Sequence, residues 1–170
     1  MTMSMYEASV PTFIHTLTSL KTILEKGAAH AESKKIDPAV LVQTRLFPDM
    51  FQLSRQVQIA TDAAKGAAAR LSGTEAPKFE DIETAFPELI ARVQRTIDYL
   101  KGFKASQIDG SEGKDIVLKS PRGDRQFSGL VFLRHWAMPN FFFHVTTTYN
   151  ILRSCGVELG KGDFLGAPQG

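Results

Sequence analysis

The chain has little cysteine, no long apolar run and no clustered charge of one sign, and each shortage excludes a class of protein. One cysteine in 170 residues, Cys155, excludes an internal disulfide framework and suits a reducing compartment. No apolar run reaches the roughly 18 residues that span a bilayer. The formal net charge is +2, and no run of Lys or Arg could track a phosphate backbone. We therefore expect neither a membrane nor nucleic acid as a partner.

The amino terminus also lacks a targeting signal. The stretch "MTMSMYEASV" has neither the basic region nor the apolar region of a secretory peptide, so we expect a cytoplasmic protein. The composition, 43% hydrophobic and 22% charged, is that of an ordinary globular protein. This length and the lack of internal repeats predict a single domain over residues 1–170.

Apolar residues recur at helical spacing in four long segments. The predicted helices run from a cap at Ser9 to about Glu32, from Asp49 to a stop at Ser72-Gly73, from about Thr84 to Lys101, and from a cap at Ser128 to Cys155. A short helix in "IDPAVL" precedes the second one, and "DIVLKSPRGDRQF" predicts a small β-hairpin before the last.

The connection between the second and third helices constrains the topology. About ten residues separate Gly73 from Thr84, and at roughly 3.3 Å each they can reach about 30 Å, the length of a twenty-residue helix. Such a connection favours parallel second and third helices joined by a crossover. The sequence thus predicts an all-α, up-down-down-up four-helix bundle with a small hairpin before the fourth helix.

The fourth helix contains a proline and a polar strip. Pro139 cannot donate a helical hydrogen bond, so we expect a kink or break near Ala137 and Met138. Asn140, His144 and Thr148 then share one helix face with Phe141, and Gln56 shares the inner face of the second helix.

Two interpretations of this strip remain open. In one, the strip lines a small-molecule pocket, with His144 as a base or hydrogen-bonding group, Asn140 and Gln56 as orienting amides, Thr148 nearby and Phe141 as a wall. In the other, His144 is a core histidine whose hydrogen bonds are satisfied internally, and the protein is structural or serves in dimerisation. The sequence leaves open whether the protein is an enzyme.

Four stretches carry a resemblance to a known family. They are "VPTF", "LFPDMFQLSRQVQIATDAAKGAAARLSG", "FEDIETAF" and "PNFFFHVTTTYNILRSCGVELGKGDFLG". Together they resemble the DinB/YfiT-like superfamily, in its uncharacterised branch classed as a domain of unknown function, over Met5 to Gly166. The resemblance implies a four-helix bundle with parallel second and third helices. It also implies a homodimer, for which the small-residue face from Ala60 to Ala69 would permit close approach.

The resemblance also implies metal chemistry that these residues support poorly. Many relatives are similar to metal-dependent hydrolases and thiol transferases, with one histidine on the second helix and an H-x-x-x-H pair on the fourth. The pair falls on Asn140 and His144, and Gln56 is the nearest inward polar residue on the second helix. Neutral amides are poor ligands for Zn²⁺ or Ni²⁺, so we expect no cofactor. If a metal does bind, His144 would hold it with His135 or Asn140.

Overall fold

The computed structural model describes residues 3–121 and 123–167, and most of them are helical. The helices are α1 (Met5–Lys34), α2 (Pro38–Gln43), α3 (Leu53–Ser72), α4 (Phe86–Lys101), α5 (Ala105–Ile108), α6 (Gly129–Phe132), α7 (Met138–Ser154) and α8 (Lys161–Leu165). A π-helical turn, Leu133–Ala137, joins α6 to α7, and the strands are β1 (Asp115–Leu118) and β2 (Arg125–Ser128).

The long helices α1, α3, α4 and α7 form the predicted four-helix bundle. Helix α1 packs mainly against α4, and α3 packs against both α7 and α4. Fully buried side chains from each helix meet in the core, among them Leu17, Val57, Val93 and Ile151. Strands β1 and β2 pair antiparallel, with Ile116 opposite Phe127, which confirms the predicted hairpin before the last long helix.

The crossover between α3 and α4 follows from the path of the loop over residues 73–85. Helix α3 ends at Gly73, whose φ of 79° is left-handed and suits glycine. The loop then runs back along α3, because Lys65 Nζ donates to the Pro77 carbonyl at 2.7 Å and Gln58 Nε2 donates to Glu83 at 3.0 Å. Helix α4 therefore begins beside the first half of α3, and the two helices run parallel as predicted.

The first helix begins earlier than its predicted cap. Ser4 Oγ accepts from the Glu7 amide at 3.2 Å, and the Glu7 carboxylate accepts from the Ser4 amide at 3.2 Å. This capping box satisfies two amides at once, whereas the Ser9 hydroxyl is buried and donates to the Met5 carbonyl at 2.6 Å. The predicted start at Ser9 is therefore wrong, and Pro11 lies inside the helix.

A π-helical turn lies just before Pro139, but the predicted break is wrong, because the chain stays helical from Gly129 to Ser154. The predicted kink stays a prediction. The Met138 amide donates to the carbonyl of Leu133, five residues earlier, and Pro139 follows in the first turn of α7. A π turn shifts the hydrogen-bond register by one residue. Helix α7 can thus continue beyond a residue that has no amide hydrogen.

The alanines of α3 are buried in the core of the bundle and do not form an exposed surface. Ala60, Ala64, Ala67 and Ala68 have no exposed surface. The surface suggested for close approach of a second copy is therefore already covered within the bundle, and that reason for a homodimer is wrong. The homodimer itself stays a prediction. Within the described residues, no helix is long and apolar enough to cross a membrane.

Candidate functional site

The bundle brings together His144 of α7 and Gln56 of α3, which the helical pattern placed on facing sides. Nδ1 of His144 and Oε1 of Gln56 are 2.6 Å apart, and Nε2 of Gln56 donates to the Phe51 carbonyl at 3.0 Å. Since the amide nitrogen of Gln56 is used on Phe51, its oxygen accepts, and His144 donates from Nδ1. The lone pair of the neutral ring then resides on Nε2, to which no residue of 3–121 or 123–167 is hydrogen-bonded.

The surroundings of His144 keep its imidazole neutral. Its residue exposure is 8%, and the ring of Phe143 packs edge-to-face against it with centroids 5.2 Å apart. Burial, followed by the positive charge of Arg55, lowers the pKa of His144 from 6.5 to about 4. At neutral pH the ring is therefore uncharged and can accept a hydrogen bond through Nε2.

Two other residues of the predicted strip lie in the core. Phe141 is fully buried and packs edge-to-face against Phe13 at 5.0 Å between ring centroids. Thr148 is also fully buried, and its Oγ1 donates to the carbonyl of His144 at 2.9 Å. Both side chains support the part of α7 that carries His144, and their contact with a ligand stays a prediction.

The remaining strip residue, Asn140, lines a different feature, which we call the Asn140 cleft. This cavity of about 570 Å³ lies between α3, the hairpin and the π-helical turn. Its lining residues are Ile59, Asp62, Ala63, Arg70, Leu118, Lys119, Ser120, Pro121, Arg125, Phe132, Trp136, Ala137 and Asn140. His144 is not among them, so the fold separates two residues that lie one turn apart on the same helix.

A buried cation, Arg92, which was not predicted from the sequence, contacts Asp62 of this cleft. The side chain of Arg92, on α4, has no exposed surface, and its Nε donates to Thr61 at 2.8 Å. Its Nη2 lies 3.0 Å from Asp62, and its Nη1 lies 3.1 Å from Glu83. The signal was present in the sequence, because position 92 falls between Leu89 and Val93 on the apolar stripe of the third predicted helix.

Three further cleft residues carry no local signal in the sequence. Arg70 lies in the last turn of α3, Arg125 begins β2, and Trp136 lies in the π-helical turn. They come from three different elements, with Arg70 far in sequence from the other two, and their spacing follows neither a helical nor a strand period. Only the docking of the hairpin against α3 brings them to one cavity.

The residues do not fit the three-histidine metal site that the superfamily resemblance implies. Within residues 3–121 and 123–167, no three His, Cys, Asp or Glu side chains lie together as a metal site would need. His135 is exposed on the π-helical turn, and Asn140 lies in its own cleft. Both polar ends of the Gln56 amide are engaged, by His144 and by Phe51.

The parallel crossover and the hairpin before the last long helix define the chain as a four-helix-bundle protein, and this class includes known proteins that are similar to it. The chain belongs to the family described as "Domain of unknown function (DUF1993)", whose model matches residues 5–165. It is also 43% identical to a DinB family member protein from Shewanella denitrificans with a known crystal structure. That likeness has a TM-score of 0.88 and covers 96% of this chain and 92% of the other. The DinB-like resemblance is thereby confirmed. Among curated proteins, none matches this chain.

Proposed function

We propose that the protein binds a small molecule in the Asn140 cleft. The observation that supports this most directly is the cleft itself, whose volume of about 570 Å³ lies within the range of small-molecule sites. Its walls combine apolar side chains, such as Ile59 and Phe132, with the amide of Asn140 and two guanidinium groups. Apolar walls with a few polar groups are typical of sites that bind and orient a ligand.

A comparison of fragment binding between a variant with a filled cleft and variants with an open cleft tests this proposal. Ala63 is half-buried on α3 and lines the cleft, so Ala63→Trp should fill it. Ala29 is exposed on α1, which makes Ala29→Trp a matched control. A mixture of neutral, anionic and cationic fragments is screened by ligand-observed NMR against the three proteins. Circular dichroism and the melting temperature verify that each variant is folded.

We expect one set of fragments to bind both the parent chain and Ala29→Trp and to lose binding in Ala63→Trp. The physical reason is that an indole placed in the cleft excludes a ligand by volume, while the same indole on α1 leaves the cleft open. If every fragment that binds the parent chain also binds Ala63→Trp, the cleft is not the binding site and the proposal fails.

A second role, at His144, is favoured by the fixed orientation of its ring. Gln56 Nε2 donates to the Phe51 carbonyl, and Gln56 Oε1 accepts from His144 Nδ1. These two hydrogen bonds fix the ring orientation and leave Nε2 as the hydrogen-bond acceptor. We propose that it accepts a hydrogen bond from a ligand. A pKa of about 4 makes it a weak general base at neutral pH, since general bases work best with a pKa near the working pH.

The same screen examines this second role. Fragments that carry an N–H or O–H donor should lose binding in His144→Ala while remaining bound to Ala63→Trp, because the acceptor lies outside the cleft. If no fragment distinguishes His144→Ala from the parent chain, Nε2 has no ligand role and the histidine serves the core.

A further inference from the structure

Arg70 presents a positive charge to the Asn140 cleft without an internal counter-charge. The residue is exposed at the cleft, and the protein around its guanidinium lowers the pKa of Arg70 by desolvation. In residues 3–121 and 123–167, it has neither an ion pair nor a hydrogen bond. A partly desolvated charge without a partner costs free energy, which a bound anion would recover.

A glycine one turn earlier makes room for this arginine. A Cβ at Gly66 would clash with Arg70 Nη1, because the guanidinium of Arg70 folds back over α3 into the space that a side chain at position 66 would occupy. Glycine within a helix costs about 1 kcal/mol relative to alanine. At this position its missing side chain is what permits the observed placement of Arg70.

Arg125 presents a second guanidinium from another wall of the cleft. Its Cζ lies 4.5 Å from the centre of the Trp136 ring, a distance typical of a cation–π contact. No carboxylate in the described ranges 3–121 and 123–167 pairs with it. Planar guanidinium groups bind carboxylates and phosphates through two parallel hydrogen bonds, which suits both arginines to an anion.

The other charges of the cleft are already compensated. The carboxylate of Asp62 lies 3.0 Å from Lys65 Nζ and 3.0 Å from Arg92 Nη2. Lys119 Nζ lies 2.5 Å from the carboxylate of Asp124. Among the described lining residues, the charges that no opposite charge neutralises are therefore those of the two arginines, and both are positive.

From these contacts we infer that the Asn140 cleft selects a small organic anion. Its carboxylate or phosphate group lies between Arg70 and Arg125, and its apolar portion lies against Ile59, Ala63 and Phe132. This inference rests on the proposed function, because it names the chemical class of the ligand for the same cleft.

The fluorescence of Trp136 reports binding directly. Trp136 is the only tryptophan in the sequence, and it lines the cleft in contact with Arg125. The protein is titrated with hexanoate, with hexyl phosphate and with hexanamide as a neutral analogue of the same length. We expect the tighter of the two anions to bind at least about tenfold more strongly than the amide, as hydrogen bonds to charged groups imply. Which anion binds more tightly distinguishes a carboxylate ligand from a phosphate ligand.

Substitutions on α3 test whether Arg70 causes the preference for anions over hexanamide. Arg70→Gln should lower the anion affinity severalfold, toward that of hexanamide, with Arg125 still in place. Gly66→Ala should act in the same direction by displacing the guanidinium while leaving the charge in place. Arg95→Gln, at an exposed arginine of α4, is the matched control and should leave the titration unchanged.

The result that overturns the inference differs from the one that overturns the proposed function. Anion binding that is absent, no tighter than amide binding, or unchanged in Arg70→Gln overturns the anion class. The fragment screen with Ala63→Trp decides separately whether the cleft binds any small molecule. A neutral fragment that is lost in Ala63→Trp, together with no anion preference, would retain the cleft and reject the anion.

Discussion

Replacing Arg92 with methionine removes the buried guanidinium that joins the crossover loop to α3 and α4. In the native chain, Nη1 donates to the Glu80 carbonyl at 3.0 Å and to Glu83 at 3.1 Å, both in the loop. Nη2 lies 3.1 Å from Asp81, also in the loop, and 3.0 Å from Asp62 on α3. Methionine retains much of the apolar volume and provides none of these hydrogen bonds.

The expected loss in the free energy of unfolding depends on how exposed to solvent each carboxylate is that loses its contact with Arg92. Removing one partner of a buried ion pair costs about 3 to 5 kcal/mol. The side chains of Asp62 and Asp81 are 43% and 38% exposed, so solvent can stabilise their charges. Glu83 is only 7% exposed, but it keeps a 3.0 Å hydrogen bond from Gln58. We therefore expect the lower end of the range, about 3 kcal/mol, for Arg92→Met.

Urea unfolding followed by circular dichroism measures this free energy. A loss of about 3 kcal/mol corresponds to a melting temperature lower by about 6 to 12 °C for a chain of this size. The control is Arg95→Met on the same helix, where the guanidinium is exposed and lies 3.7 Å from the ring of Phe79. An exposed cation–π contact is worth about 0.5 to 1 kcal/mol, so this variant should lose no more than that.

A double variant distinguishes the cost of leaving the Glu83 carboxylate without Arg92 from the cost of losing the other hydrogen bonds of Arg92. Adding Glu83→Gln to Arg92→Met removes the least exposed of the abandoned carboxylates, so the pair should be more stable than Arg92→Met alone. The reasoning is refuted if Arg92→Met lies within about 1 kcal/mol of the parent chain. It is also refuted if Glu83→Gln is as costly in the Arg92→Met background as in the parent.

Two further predictions concern His144. Its folded pKa of about 4 lies below the unfolded value of 6.5, so the unfolded state binds more protons in that interval, and the free energy of unfolding should fall by roughly 3 kcal/mol from pH 6.5 to 4. Urea unfolding at several pH values should show a flatter dependence in His144→Gln, and an unchanged dependence would contradict the assignment. Protein purified without metal-affinity resin should contain far less than one equivalent of Zn²⁺ or Ni²⁺ by elemental analysis, and a chelator should leave its melting temperature unchanged. A stoichiometric metal that is lost in His144→Ala, together with stability, would reverse that conclusion.

The helical bundle was predictable because its signals are local. Apolar spacing identified the long helices, Gly73 marked the end of α3, and the length of the loop after it indicated the crossover. The effect of Pro139 was also local, since a missing amide hydrogen disturbs a helix wherever it packs. The predicted start at Ser9 was wrong because two serines could cap this helix. Ser4 is the cap, since it forms reciprocal hydrogen bonds with Glu7.

The facing of Gln56 and His144 was partly predictable for the same reason. Helical periodicity placed each side chain on an inner face, and antiparallel packing of α3 against α7 brings the two atoms to 2.6 Å. Periodicity could not separate Asn140 from His144, because the two residues lie one turn apart on the same helix. The hairpin covers the helix beside Asn140 and forms the cleft there, and the docking of a hairpin has no helical period.

The four long helices, their inner faces, the crossover and the hairpin could therefore be predicted from the sequence, because each depends on spacing, capping and chain length over a few turns. The sequence could not show where charge is buried and where it lacks an opposite charge, because both depend on how the elements pack. Arg92 is buried because carboxylates from the loop and from α3 converge on it, while Arg70 and Arg125 lack carboxylate partners in the described residues because the fold brings none to them. Such pairing depends on distances between segments remote in sequence, since electrostatic energies are set by separation and by exposure to water.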